Sequence, residues 1–236
     1  MHASYGDFMF KEVKASEDSC LDSVKAFIAE KSFPCVGAKS ALNKNRMRLV
    51  RFGAMAVPAS TQSLWEALIR YSQEFPDPGS VSVSFVAVFD DAATDEAGFE
   101  RLLWQQLQAL HDHDHENGIV WDRSVSSDPS QVDFSFSVGG RAFFVVGLHP
   151  GASRMARRTP FPCIVFNFHN QFESLKALGK YAGMQDAIRK RDTVLQGSVN
   201  PVLARFGESS EAVQYSGRAA EGEWKCPFSA RGATHD

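Results

Sequence analysis

Apolar residues recur along this chain at two spacings, and the places where one spacing gives way to the other mark its elements. Leu21, Val24 and Ile28 share one face of a helix predicted over residues 17–30. Phe33-Pro34-Cys35-Val36-Gly37 then interrupts regular structure, and a strand is expected over Met47–Phe52. A helix begins after Pro58-Ala59-Ser60, carries Leu64, Leu68, Tyr71 and Phe75 at helical spacing, and stops at Pro76-Asp77-Pro78-Gly79. Val81–Phe89 alternates as a strand, and from about Asp95 a helix turns Phe99, Leu102, Leu103, Leu107 and Leu110 inward. Asp133–Val138 alternates strictly, Gly139-Gly140 supplies a turn, and Arg141–Leu148 returns as the second arm of a hairpin. Cys163–Phe168 is apolar on both faces and reads as a central strand. Helices over Gln171–Leu178 and Tyr181–Leu195 follow, and the chain is loop-rich from Ser198.

Strands gather in the middle and helices toward the ends. The pattern therefore predicts an α+β (mixed α/β) fold, with a central mostly antiparallel or mixed sheet flanked by helices. At 236 residues the chain is expected to form a single domain over 1–236, with a flexible N-terminus over 1–16 and a flexible tail over 229–236. Nineteen phenylalanines supply either a large core or an apolar ligand cavity.

A net charge of -3 gives no global positive field for nucleic acid or an anionic membrane. No apolar run approaches the roughly 20 residues of a membrane span, and Met1–Asp7 lacks the basic and apolar parts of a secretory signal. Cys20, Cys35, Cys163 and Cys226 are scattered without a CxxC pair, so a reducing cytoplasm is the expected home. Gly-x-Ser-x-Gly, Walker A and Gly-x-Gly-x-x-Gly sequences are absent.

Candidate chemistry falls in four places. His111-Asp112-His113-Asp114-His115-Glu116 sets His111 and His115 one helical turn apart, a spacing able to share a metal, but its place before Asn117-Gly118 favours a solvated helix end. His149 leaves a strand beside Ser153, Arg154, Arg157 and Arg158, where it can ligate a metal or move a proton while the arginines hold an anion. Asn167, His169 and Gln171 interleave with Phe166, Phe168 and Phe172, an arrangement suited to a flat ligand or, more simply, to capping the next helix. Cys35 and Cys226 adjoin prolines, as ligands or nucleophiles or as small buried hydrophobes.

Several strings resemble the YqcI/YcgG family. They are Phe33–Ala41, Leu148–Arg158, Phe166–Leu175, Ile188–Asp192, Gly197–Leu203, Ser210–Arg218 and Trp224–Phe228. Members of that family include haem-dependent N-oxygenases acting on guanidines or amino-heterocycles. The resemblance implies an enzyme using haem b, dioxygen and external electrons from a donor such as a ferredoxin or a flavin reductase, with an arginine-like or 2-aminoimidazole-like substrate and an oligomer as an open possibility. Without a CxxCH sequence, such a haem is held non-covalently. Haem iron needs one strong axial donor. On this reading His149 is the proximal ligand, with His169 or Cys35 as rivals. Ser153, Arg154, Arg157, Arg158, Tyr215 and Arg218 join the cofactor site. His169, Asn167 and Glu173 form the catalytic set, and Glu173 or Glu211 pairs with a cationic substrate. The competing readings are a haem-binding protein without turnover and a divalent-metal hydrolase using His111, His113 and His115.

Overall fold

The computed structural model describes residues 19–91, 94–198, 200, 210–219 and 224–231. Five strands form one mixed sheet in the order β1-β2-β5-β4-β3: β1 (Met47–Phe52), β2 (Ser84–Phe89), β3 (Phe136–Val138), β4 (Arg141–Leu148) and β5 (Cys163–Phe168). Only β1 and β2 run parallel; β2–β5, β5–β4 and β4–β3 are antiparallel. The mixed sheet anticipated from the sequence is present, and β5 is its central strand. The two strands read as longer are trimmed at their starts: β2 begins at Ser84 rather than Val81, and β3 at Phe136 rather than Asp133.

Helices cover both faces. α3 (Pro58–Glu74) and α4 (Glu96–Glu116) lie on one side, where Leu64, Leu68, Tyr71, Phe99, Leu103 and Leu107 pack on Phe85, Phe143, Val145, Phe166 and Phe168. Proline at the first position opens α3, and Asp95 caps α4 by accepting the Gly98 N–H at 2.7 Å. α1 (residues 19–29) and α2 (Val36–Asn43) lie on the other side, with Cys20, Val24 and Ile28 against Val86, Val88, Leu148 and Cys163. α5 (His169–Ala177) and α6 (Tyr181–Gln196) join α2 over this second face, and the short α7 (Ala212–Tyr215) packs against β4. Gly197, in the left-handed region at φ 81°, ends α6.

Two expectations change here. The 111–116 tract is not a wholly solvated helix end. His111 is buried and its Nε2 accepts the Arg231 N–H at 2.7 Å, while the buried Asp114 carboxylate accepts from Trp65 Nε1 and the Gly139 N–H. The tail read as flexible from 229 is anchored as far as Arg231, because Gln108 pairs with the Ser229 backbone and Asp112 with the Arg231 guanidinium. The stretch read as a flexible N-terminus, 1–16, lies outside the described residues.

Candidate functional site

The second face of the sheet is incompletely filled. Beyond Arg141 at the start of β4, the half-buried positions along β5 and β4 are Val165, Asn167, Phe144 and Val146, while their neighbours are buried. Register explains the alternation, since Val146 pairs with Val165 and Phe144 with Asn167, and paired residues share a face. These side chains floor a cavity of about 250 Å3, closed by Ile28 of α1, by Cys35, Gly37 and Ala38 at the start of α2, and by α5 and α6.

The roof is unusually thin in packing. α5 and α6 each bury one residue, and both are polar: Gln171 and Asp192. Phe172 and Leu175, and Tyr181, Met184 and Ile188 at helical spacing, stay half-buried because they line the cavity. Polar ties hold the roof in place. Gln171 brackets the Val83 backbone, accepting its N–H at 3.1 Å and donating to its carbonyl at 3.3 Å. Arg154 is ion-paired with Asp192, both nearly buried, and donates to the Ser198 hydroxyl and carbonyl. Arg191 donates to the carbonyls of Lys31 and Phe33.

Cys35 is the soft donor on this wall. It caps α2, its Sγ accepting the Ala38 N–H at 3.4 Å. Cys35 is half-buried and lines the cavity. Burial pushes its thiol pKa up, opposed by the Ala38 and Gly37 amides. A Cβ on Gly37 would lie 3.9 Å from this sulfur and 4.0 Å from Met184 Sδ, so glycine leaves open the space between the two. Asn167 faces the same cavity, with its carbonyl oxygen accepting from Ser84 Oγ at 2.7 Å, and Arg189 adds a guanidinium to the lining.

The strand-end histidines lie elsewhere. Leu148 and Cys163 are paired on the cavity face, so the next residue, His149, turns to the opposite one. There its ring stacks on Phe99 at 4.3 Å and 16°, 2% exposed, and burial lowers its pKa below the ordinary imidazole value, with Glu96 opposing. Its Nδ1 has no hydrogen-bond partner of good geometry among the described residues, although the Thr94 backbone is close enough to favour the protonated ring. His169 opens α5 outside the cavity lining, with its Nε2 3.9 Å from the exposed Glu173. Glu173 pairs with Lys176 at 3.2 Å, so the catalytic set drawn from this stretch is split: Asn167 reaches the cavity, His169 and Glu173 do not.

The remaining residues expected around a cofactor serve the framework. Ser153 donates to Glu96 through its N–H and its hydroxyl, and Arg158 to the carbonyls of Ala152 and Ser153. Arg157 is buried with three backbone carbonyls, those of Gly147, Gln214 and Tyr215, which fasten α7 to β4; its flank still reaches the cavity rim. Burial lowers its pKa to about 10. Gly217, at φ 81°, passes over this side chain where a Cβ would come within 2.5 Å of Arg157 Cδ and 2.6 Å of its Nη1. Tyr215 and Glu211 are buried near Ser135 on the other face, and Arg218 pairs with the half-buried Glu100. His111 is bonded to Arg231, His113 packs on Trp65 at 4.8 Å and His115 is exposed. No group of three His, Cys, Asp or Glu side chains among the described residues is arranged to hold a metal ion.

Sequence reasoning missed Ser84, Met184 and Arg189 as cavity residues. The stripe Tyr181, Met184, Ile188 was the available signal for α6. Ser84 needed the strand pairing, which spacing alone does not give.

The family model described as the YqcI/YcgG family matches residues 24–229. An uncharacterized protein, YqcI of Bacillus subtilis (strain 168), is 26% identical over 212 residues, covering 84% of this chain and 81% of its own. No solved structure matches. Among the described residues no helix is long and apolar enough to cross a membrane.

Proposed function

The chain belongs to the YqcI/YcgG family, and from that premise we propose that it is a haem-dependent N-oxygenase whose cofactor occupies the cavity under α5 and α6, with Cys35 as the axial donor. One observation carries this reading. Of the three axial candidates, Cys35, His149 and His169, only Cys35 lines the cavity.

The donor chemistry fits. A metal-bound thiol is deprotonated outright, and the two amides directed at Sγ favour that charge as they would at any helix start. Met47, Val86, Val146 and Val165 offer an apolar floor for a flat macrocycle, and Arg189 offers a cation for its carboxylates. Haem supplies dioxygen activation when bound. The chain's own residues orient and enclose: Asn167 presents its amide to a planar substrate, Gln171 ties α5 to the Val83 backbone, and the apolar inner faces of α5 and α6 exclude water. At about 250 Å3 the space is a little under the roughly 300–1,000 Å3 of most small-molecule sites. A tetrapyrrole therefore requires α6 to move outward against the Arg154–Asp192 and Arg191 ties.

The test is expression with a haem precursor, followed by incubation with dioxygen, a reductant and either arginine or 2-aminoimidazole. About one haem per chain and a product heavier by oxygen support the reading. A haem protein that leaves both compounds unchanged points to binding without turnover. A colourless protein that takes up no haem overturns the reading.

A further inference from the structure

Arg157 carries a positive charge that no carboxylate answers. It ends the short helical turn Met155–Arg157, is 7% exposed and belongs to the cavity lining. Its Nη1 donates to the Gly147 and Tyr215 carbonyls at 3.1 and 3.2 Å, and its Nη2 to that of Gln214 at 2.9 Å. All three acceptors are neutral, so the charge stays unpaired. A guanidinium has five N–H donors. With three acceptors, the Nε–H and at least one more N–H have no partner among the described residues. The carboxylates that act on it at longer range, Asp192 and Glu96, are taken by Arg154 and by Ser153. Burying an unanswered charge is costly. Burial lowers this pKa only to about 10, so the group is still protonated at neutral pH.

From the Arg157 tie at Gly147, the cavity follows β4 past Leu148, Val146 and Phe144, a run of about 13 Å of strand. Ala38 and Ile188 wall this run with apolar surface. We infer that the cavity, closed as it stands, binds a small monocarboxylate with an apolar body, its carboxylate on Arg157 and its carbon chain along β4. The guanidinium is fixed before any ligand arrives, by its three carbonyls and by the His149 N–H, which donates to the Arg157 carbonyl at 3.0 Å. A fork of free N–H groups fits a planar carboxylate. Arg189, the other guanidinium of the lining, is only half-buried on α6, so one buried cation sets the charge that is wanted. The second charge of a phosphate would enter apolar walls without an offset. At about 30 Å3 per non-hydrogen atom, the share of a water molecule in the liquid, 250 Å3 holds about eight such atoms, the size of hexanoate.

The experiment titrates the full, haem-free chain with hexanoate and with hexanamide, its neutral counterpart of equal size, by calorimetry. Hexanoate should bind once per chain, and hexanamide roughly 10- to 100-fold more weakly, the worth of a hydrogen bond to a charged group. Arg157→Lys keeps a charge but loses the fork and should weaken hexanoate alone. Because Arg157 also ties α7 to β4, a second variant, Val146→Phe, fills the floor and leaves the arginine in place. It should abolish hexanoate binding. Absent or multiple-site hexanoate binding, equal affinity for the amide, or full affinity in Val146→Phe overturns the inference. Hexanoate binding by a chain that takes up no haem leaves this inference standing and removes the haem reading. Haem uptake by a chain that ignores hexanoate does the reverse.

Discussion

The roof over the cavity hangs on the Arg154–Asp192 pair, and removing one member tests that directly. Arg154 and Asp192 are exposed by only 10% and 5% of their side chains, so Asp192→Ala strands a guanidinium in a poorly solvated place. Breaking a buried pair from one side typically costs about 3–5 kcal/mol. Two of the Arg154 bonds, to the Ser198 hydroxyl at 3.0 Å and its carbonyl at 2.8 Å, survive the substitution, which places the loss near 3 kcal/mol. For a domain of this size that lowers Tm by roughly 6–12 °C. The pair is imperfect, since Arg154 Nε and Asp192 Oδ1 both lack a hydrogen-bond partner among the described residues. Replacing both residues together, Arg154→Met with Asp192→Leu, should therefore recover most of the stability. Urea unfolding measures the global loss, and amide exchange over α6 measures whether the roof opens first. A loss below about 1 kcal/mol in Asp192→Ala, the worth of a surface pair, would refute the assigned role.

Two further outcomes follow from packing and protonation. Gly147→Ala puts a Cβ 2.6 Å from Phe99 and 2.7 Å from Leu103, with the Tyr215 carbonyl 2.9 Å away, so it should cost about 1–3 kcal/mol by thermal unfolding and displace the ring stacked on His149. Burial raises the Glu211 pKa to about 8, despite hydrogen bonds from Ser135 and Tyr215. Between its ordinary acidic value and about 8 the folded state then binds the extra proton, and stability falls as pH rises through that window. Melting curves from about pH 5 to pH 8.5 should show this decline in wild type and a shallower one in Glu211→Gln; identical slopes would remove Glu211 as the cause.

Much of the frame was legible because local pattern and tertiary role agree. The Gly139-Gly140 turn, with both glycines at positive φ, forms the hairpin that the alternation on either side announces, and the doubly apolar Cys163–Phe168 is the central strand. The site was less legible. His149 and Asn167 look alike as polar residues at strand ends, yet the β4–β5 register sends them to opposite faces, and register is a long-range property. The three arginines after His149 look like an anion site in sequence. In the fold they answer buried carbonyls and one carboxylate, which only the approach of α6 and α7 reveals. Cys35 was visible as a cysteine on irregular backbone, but its enclosure by the cavity required the second layer of helices.

The most direct test of the account is the absorption spectrum of the ferrous–carbonyl complex in wild type, Cys35→Ser and His149→Ala, each loaded with haem. Wild type and His149→Ala should share the red-shifted Soret band of thiolate ligation, and Cys35→Ser should lose that shift or the haem itself. A band that survives Cys35→Ser and disappears in His149→Ala would contradict the placement of the cofactor in the cavity.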